Sequence, residues 1–100
     1  MANLAENNVL IMFPEDFTLE QKHKVLAYFD EEIALDIRND PEILDDGTVL
    51  ELCYDTKWTE QRKLLQQCAN LFDINIIGTC HEWGNQYVSS FNINRERNKQ

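Results

Sequence analysis

The chain has 100 residues, with 18 acidic against 9 basic side chains and a formal net charge of −9 when histidine is neutral. That length suits one domain, and 43% hydrophobic with 10% aromatic residues is enough for a core without covalent staples. Three Gly and two Pro exclude a low-complexity chain. No apolar run approaches the ~18 residues of a membrane span, and the acidity argues against direct binding to a nucleic-acid backbone.

The N-terminal MANLAENN shows no basic stretch leading into an apolar one, so no secretory signal is expected. Cys53, Cys68 and Cys80 are odd in number, widely spaced and free of C-x-x-C. They are read as reduced, buried thiols, and the expected setting is cytoplasmic.

In chain order, residues 1–7 read as loose, and Val9–Phe13 (VLIMF) as a central strand buried on both faces, ended by Pro14. Thr18 with Gln21 has the form of a capping box. The stripe Leu19, His23, Leu26, Phe29 and Ile33, widened by Val25 and Tyr28, predicts a helix that stops near Glu31. The period then falls to two: Ile33, Leu35 and Ile37 alternate with Ala34, Asp36 and Arg38, predicting a half-buried strand. Asn39-Asp40-Pro41 breaks it, and Asp45-Asp46-Gly47 is a turn signal.

The next strand runs Thr48–Asp55, with Leu50, Leu52 and Tyr54 on one face and Val49, Glu51, Cys53 and Asp55 on the other. Thr59 is expected to cap a second helix burying Leu64, Leu65, Cys68, Leu71 and Phe72. Ile74–Trp83 and Gln86–Asn94 flank Gly84-Asn85 as a hairpin with a primed turn. That turn pairs Glu82 with Tyr87 and Gly78 with Phe91. It puts Ile76, Gly78, Cys80, Tyr87, Phe91 and Ile93 toward the core, and Ile77, Thr79, His81, Trp83, Gln86 and Val88 on the other face. The order predicts an α+β fold of ferredoxin-like β-α-β-β-α-β plan with an extra C-terminal hairpin strand and two helices on one face of an antiparallel sheet. Residues 1–94 form the expected domain, and 95–100 a flexible basic tail.

The stretch Leu52-Cys-Tyr-Asp-Thr-Lys-Trp58, the helix Glu60–Phe72 and the hairpin with Glu82-Trp-Gly-Asn85 resemble the Api92-like ferredoxin-fold proteins of phages and plasmids. The resemblance covers about residues 48–94 and rests on pattern more than identity. It implies a ferredoxin fold and an origin in a mobile genetic element, and it carries no catalytic signature.

No Walker A loop, G-x-G-x-x-G, G-x-S-x-G or H-E-x-x-H is present, so no enzyme activity and no cofactor are expected. Cys80 and His81 are neighbours on a strand and point to opposite faces, which argues against a nucleophile–base pair. No spacing among His23, Cys53, Cys80 and His81 supports zinc, and the 36–46 carboxylates lack the calcium-loop pattern. The remaining signal is charge. Between Asp30 and Asp55 ten acids face one base, Arg38, which places the whole −9 in that segment and leaves the rest neutral.

A patch of this kind either solubilises or steers a basic partner. The expected partner-binding set is Asp36, Asp40, Glu42, Asp45, Asp46, Glu51 and Asp55, with His81 and Trp83 beside them on the open sheet face and Trp83 as the anchor. The function expected is a phage- or plasmid-type inhibitor occupying a basic, nucleic-acid-binding surface of a host protein, as anti-CRISPR-like proteins do. It would act as monomer or homodimer, without membrane contact. The alternatives are a small-ligand-binding protein or enzyme using the sheet face around Cys80, His81 and Trp83, and a homodimer joined through edge strands.

Overall fold

A computed structural model of the chain describes residues 4–57, 61–82, 84 and 87–96. Five antiparallel strands, β1 (Leu4–Met12), β2 (Asp36–Ile37), β3 (Val49–Lys57), β4 (Asn75–Glu82) and β5 (Tyr87–Ile93), form one sheet in the order β2-β3-β1-β4-β5. Helices α1 (Leu19–Tyr28) and α2 (Arg62–Phe72) bury Val25, Leu65, Cys68 and Ala69 against the inward side chains of the sheet. Those inward residues alternate as a two-residue period requires: Val9 and Ile11 of β1, Leu50, Leu52 and Tyr54 of β3, Ile76 and Cys80 of β4, Phe91 and Ile93 of β5. The fold class expected from the sequence, α+β with an antiparallel sheet and two helices, is the one observed.

β1 departs from expectation twice. It begins at Leu4, so residues 4–7 are strand and not loose chain. It is also buried on one face only: Ala5, Asn7, Val9 and Ile11 point inward, while Leu10 is 42% exposed on the other side. Pairing explains the length. Leu4–Met12 is matched residue for residue by Lys57–Val49 of β3, and Ala5–Met12 by Glu82–Asn75 of β4.

Helix α1 starts as its capping box predicts, with the Gln21 amide donating to Thr18 Oγ1 (3.1 Å) and the Thr18 amide donating to Gln21 Oε1 (2.8 Å). Its buried stripe is Lys22, Val25 and Phe29, rotated by one position from the predicted one, which leaves His23 exposed and Leu19 largely so. The helix does not stop near Glu31 but widens into a π turn, Phe29–Ile33, closed by the Ala34 amide on the Phe29 carbonyl (2.7 Å). The wider turn sends both Phe29 and Ile33 into the core and Asp30, Glu31 and Glu32 outward. Phe29 meets Tyr54 edge-on, with ring centroids 5.4 Å apart.

The strand expected over 33–38 shrinks to two residues, and Leu35 is exposed. Pairing with β3 nevertheless runs beyond β2. The Leu35 amide donates to the Asp55 carbonyl and the Arg38 amide to the Cys53 carbonyl (both 2.8 Å). Asn39 continues the ladder with its side chain: Oδ1 accepts from the Cys53 amide (2.8 Å), and Nδ2 donates to the Glu51 carbonyl (3.1 Å). A side chain that takes over backbone pairing ends the strand there.

Helix α2 has Gln61 at its N-cap position in a left-handed conformation (φ 60°) without a side-chain cap; the predicted cap, Thr59, lies outside the described residues. Leu71 is exposed and Ala69 buried. With about 3.6 residues per turn, Leu71 stands on the flank of the stripe formed by Leu65, Cys68, Ala69 and Phe72. The β4–β5 register pairs Glu82 with Tyr87 and Gly78 with Phe91, as the hairpin reading requires, and the turn itself lies mostly outside the described residues. Arg95 and Glu96, the first residues of the expected tail, bond to the C-terminal end of α2 and the start of β4. Arg95 Nε is 3.0 Å from Asp73 Oδ1, the Arg95 amide donates to Asn75 Oδ1 (3.1 Å), and the Glu96 amide donates to Asn70 Oδ1 (2.7 Å).

Candidate functional site: the open sheet face

The face turned away from the helices is built from residues that sit opposite one another in the ladder. One row runs Asp36–Asp55–Glu6–His81–Val88 from β2 to β5, and another runs Glu51–Leu10–Ile77–Asn92 from β3 to β5. Between them lies Cys53–Asn8–Thr79–Ser90. The expectation that Asp36, Glu51, Asp55, Ile77, His81 and Val88 share this face agrees with the register. Trp83, the expected anchor, lies outside the described residues.

Asp55 differs from the role expected of it. It is 6% exposed, and its Oδ1 lies 2.8 Å from Arg38 Nε, while Arg38 Nη1 is 3.5 Å from Glu6 Oε1. The hydrogen bond and charge of Asp55 raise the pKa of the Arg38 guanidinium, so the one base of the acidic segment is committed on this face. The carboxylate that holds it is shielded and does not steer. Asp36 is exposed beside that pair, and Glu51 is exposed four residues along β3.

The loop acids Asp40, Glu42, Asp45 and Asp46 are exposed, but they are not part of the two rows. Their loop is held from the helix side by Lys22, which is 2% exposed. Lys22 Nζ donates to the carbonyls of Leu44 (2.9 Å), Asp45 (3.0 Å) and Gly47, and lies 5.7 Å from the centre of the Phe13 ring. The described members of the sequence-predicted set therefore divide between the open face (Asp36, Glu51, Asp55, His81) and the loop that Lys22 clamps (Asp40, Glu42, Asp45, Asp46).

Glu6, Asn8 and Leu10 are not legible as site residues in a sequence that reads as loose chain over residues 1–7 and as a strand buried on both faces over Val9–Phe13. Their signal was the alternation Leu4, Glu6, Asn8, Leu10 against Ala5, Asn7, Val9, Ile11. Leu10 (42% exposed) and Ile77 (40% exposed) are direct partners in the middle of the sheet and line a groove of about 560 Å³ with Glu51, Asn8, Thr79 and Asn92. One-sided antiparallel sheets ordinarily turn polar residues outward. Here Leu4, Leu10, Val49, Ile77 and Val88 are exposed on the open face instead.

The thiols do not form a reactive group with this face. Cys80 is buried on the inner side of β4, and His81 stands on the outer side. Cys53 Sγ donates to Asn8 Oδ1 (2.8 Å), and burial, followed by the charges of Glu51 and Glu6, raises its pKa. Among the described residues no group of three His, Cys, Asp or Glu could hold a metal ion. Inside the sheet, buried Asn7 donates to Thr56 Oγ1 (2.9 Å) and the Tyr54 carbonyl (3.3 Å), which ties β1 to β3.

Cys68 gives a pH prediction. Burial in α2 pushes its thiol from 9.0 up to about 12. The folded chain keeps a proton that the unfolded chain releases near pH 9, so stability is full below pH 9 and falls as pH rises toward 12. The slope from this group reaches about 1.4 kcal/mol per pH unit. Tyr28, raised by burial and then by the charges of Cys68 and Glu32, adds in the same direction above pH 10. Urea midpoints at pH 8, 9 and 10.5 should fall for the parent chain and flatten in Cys68→Val; parallel curves would refute the assignment.

No protein family, curated protein or solved structure matches this chain. No described helix is long and apolar enough to cross a membrane.

Proposed function

We propose that this chain is a small, non-catalytic binding protein on a ferredoxin-like plan, which acts by occupying a basic surface of another protein. The order β2-β3-β1-β4, antiparallel throughout with both helices on one face, supports that plan, with β5 as a hairpin extension. The observation that carries the function is the segregation of charge. Asp36, Asp40, Glu42, Asp45, Asp46 and Glu51 are all exposed, and the single base among them is engaged by Asp55 and Glu6. Asp30, Glu31 and Glu32 add three exposed acids at the C-terminal end of a helix, where the macrodipole disfavours negative charge. Acids placed there do not serve helix stability.

The kind of partner favoured is a nucleic-acid-binding protein, whose channel already selects for clustered negative charge. With the resemblance of residues 48–94 to phage and plasmid proteins, the reading is an inhibitor of a bacterial host protein. Pairing of edge strands between copies is less favoured. β2 has two residues, and on β5 the Ser90 carbonyl accepts from Arg62 Nη2 (3.1 Å), with the Asn94 carbonyl just beyond accepting from Gln66 Nε2 (2.8 Å).

The test is capture from bacterial lysate by the immobilised chain at low and high salt, beside a variant carrying D36N, E42Q, D45N and D46N. A nucleic-acid-binding protein should be retained at low salt, be displaced by its own nucleic acid, and bind the variant about tenfold more weakly with a flatter salt dependence. Equal retention by parent and variant would refute the electrostatic reading.

A further inference from the structure

The groove over β1 and β4 specifies more than a basic partner. It lies in mid-sheet, over strands whose backbones are paired on both sides, so an occupant meets side chains and not main-chain groups. Its floor is apolar where Leu10 and Ile77 meet. Its lining reaches from Glu51 on β3 across β1 and β4 to Asn92 on β5, four strands at about 4.8 Å spacing, or roughly 14 Å. One α-helix with its side chains is about 10–12 Å across. Exposed Glu51 borders the groove in the Leu10–Ile77 row, and the Asp36–Asp55–Glu6 row runs parallel four residues along the strands.

Charge decides among occupants. A second copy of the chain seated here would bring Glu51 and the Asp36–Glu6 row against their own equivalents, with −9 on each molecule. An anionic lipid surface is repelled for the same reason.

From this juxtaposition we infer that the groove is the seat for one amphipathic helix of the partner protein, which lays an apolar stripe on Leu10 and Ile77 and directs Lys or Arg toward Glu51 and Asp36. The inference rests on the binding function proposed above and names the element that is bound. Acids bring the partner in, and the groove then recognises helical periodicity, with anchors at i, i+3, i+4 and i+7.

The probe is an 18-residue leucine–lysine peptide with its leucines on one helical face, titrated into the full chain and followed by amide NMR shifts. Its comparison is a peptide of identical composition with the leucines spread around the helix. The expected result is binding of the first at least about tenfold tighter than the second, with shifts centred on Leu10, Ile77 and Thr79. The affinity should drop about tenfold in Leu10→Gln/Ile77→Gln, whose circular dichroism and melting temperature report that the exposed positions leave the fold intact.

Equal binding of both peptides would overturn the groove and leave charge-driven binding standing. Binding of neither would count against both. Shifts at Leu10 and Ile77 that grow with protein concentration in the absence of peptide would assign the groove to a second copy and overturn the inference. A leucine–glutamate peptide that binds as well as the lysine one would overturn the charge assignment.

Discussion

Lys22→Met is expected to lower folding stability by about 3 kcal/mol, although methionine matches most of the volume removed. A buried ammonium is costly to desolvate, and here three converging carbonyls, those of Leu44, Asp45 and Gly47, offset that cost. Hydrogen bonds to a charged group contribute about 1.5–3 kcal/mol each. Losing all three would exceed the stability of many small domains, so the cheapest response sets the cost. Residues 42–47 would lift off so that water reaches the carbonyls, giving up the packing of Ile43 against the core. Lys22→Arg should recover less than half, because a planar guanidinium cannot direct three donors at carbonyls arranged around a point. Urea denaturation of both variants measures the cost, and amide exchange at 43–48 reports the lifting. A Lys22→Met chain within 1 kcal/mol of the parent would mean that the carbonyls are solvated without the ammonium.

The same lysine shows why the acidic segment was only half legible. Sequence places ten acids between residues 30 and 55 but cannot say which share a surface. The two-residue period of β3 sorts Glu51 and Asp55 onto the open face, and the Gly78–Phe91 register follows from the turn residues. Both are local rules, and both agree with the structure. What escaped depends on distant partners. Lys22 lies at helical spacing with Val25 and Phe29, yet a lysine reads as solvent-facing until the 44–47 carbonyls are known to surround it. Asp55 reads as a steering charge until Arg38 folds over it. β1 reads as loose because Glu6, Asn7 and Asn8 interrupt its apolar residues. Of these, Glu6 and Asn8 look outward, and Asn7 is buried but bonded to Thr56. In each case polarity was the local signal and tertiary pairing overrode it.

Gly78→Ala is the second large effect, and its sign runs against the usual one. Glycine inside a strand costs roughly 0.5–1 kcal/mol of backbone entropy relative to alanine, so the replacement would ordinarily help. At Gly78 a Cβ would stand 2.5 Å from the Asn8 carbonyl oxygen, 2.7 Å from Val9 Cγ1 and 3.0 Å from Phe91 Cζ. The nearest atom is backbone of the neighbouring central strand and cannot rotate away. Overpacking of this kind costs about 1–3 kcal/mol, and with a backbone oxygen as the closest contact the upper part of that range applies. A net loss of about 2 kcal/mol is expected after the entropy gain.

The strain has a direction. β1 and β4 must part beneath Leu10 and Ile77, and the Phe91 ring must move from under the Arg62 guanidinium, 5.8 Å from its centre. Combining Gly78→Ala with Phe91→Leu relieves only the most distant of the three contacts, so the double variant should regain less than half of the loss attributable to Gly78. Urea denaturation of the two single variants and the pair measures this coupling. Full recovery would show that the ring, and not the β1 backbone, requires glycine there. The expected outcome makes Gly78 the residue that lets β1 and β4 approach closely enough to hold the floor of the groove in one piece.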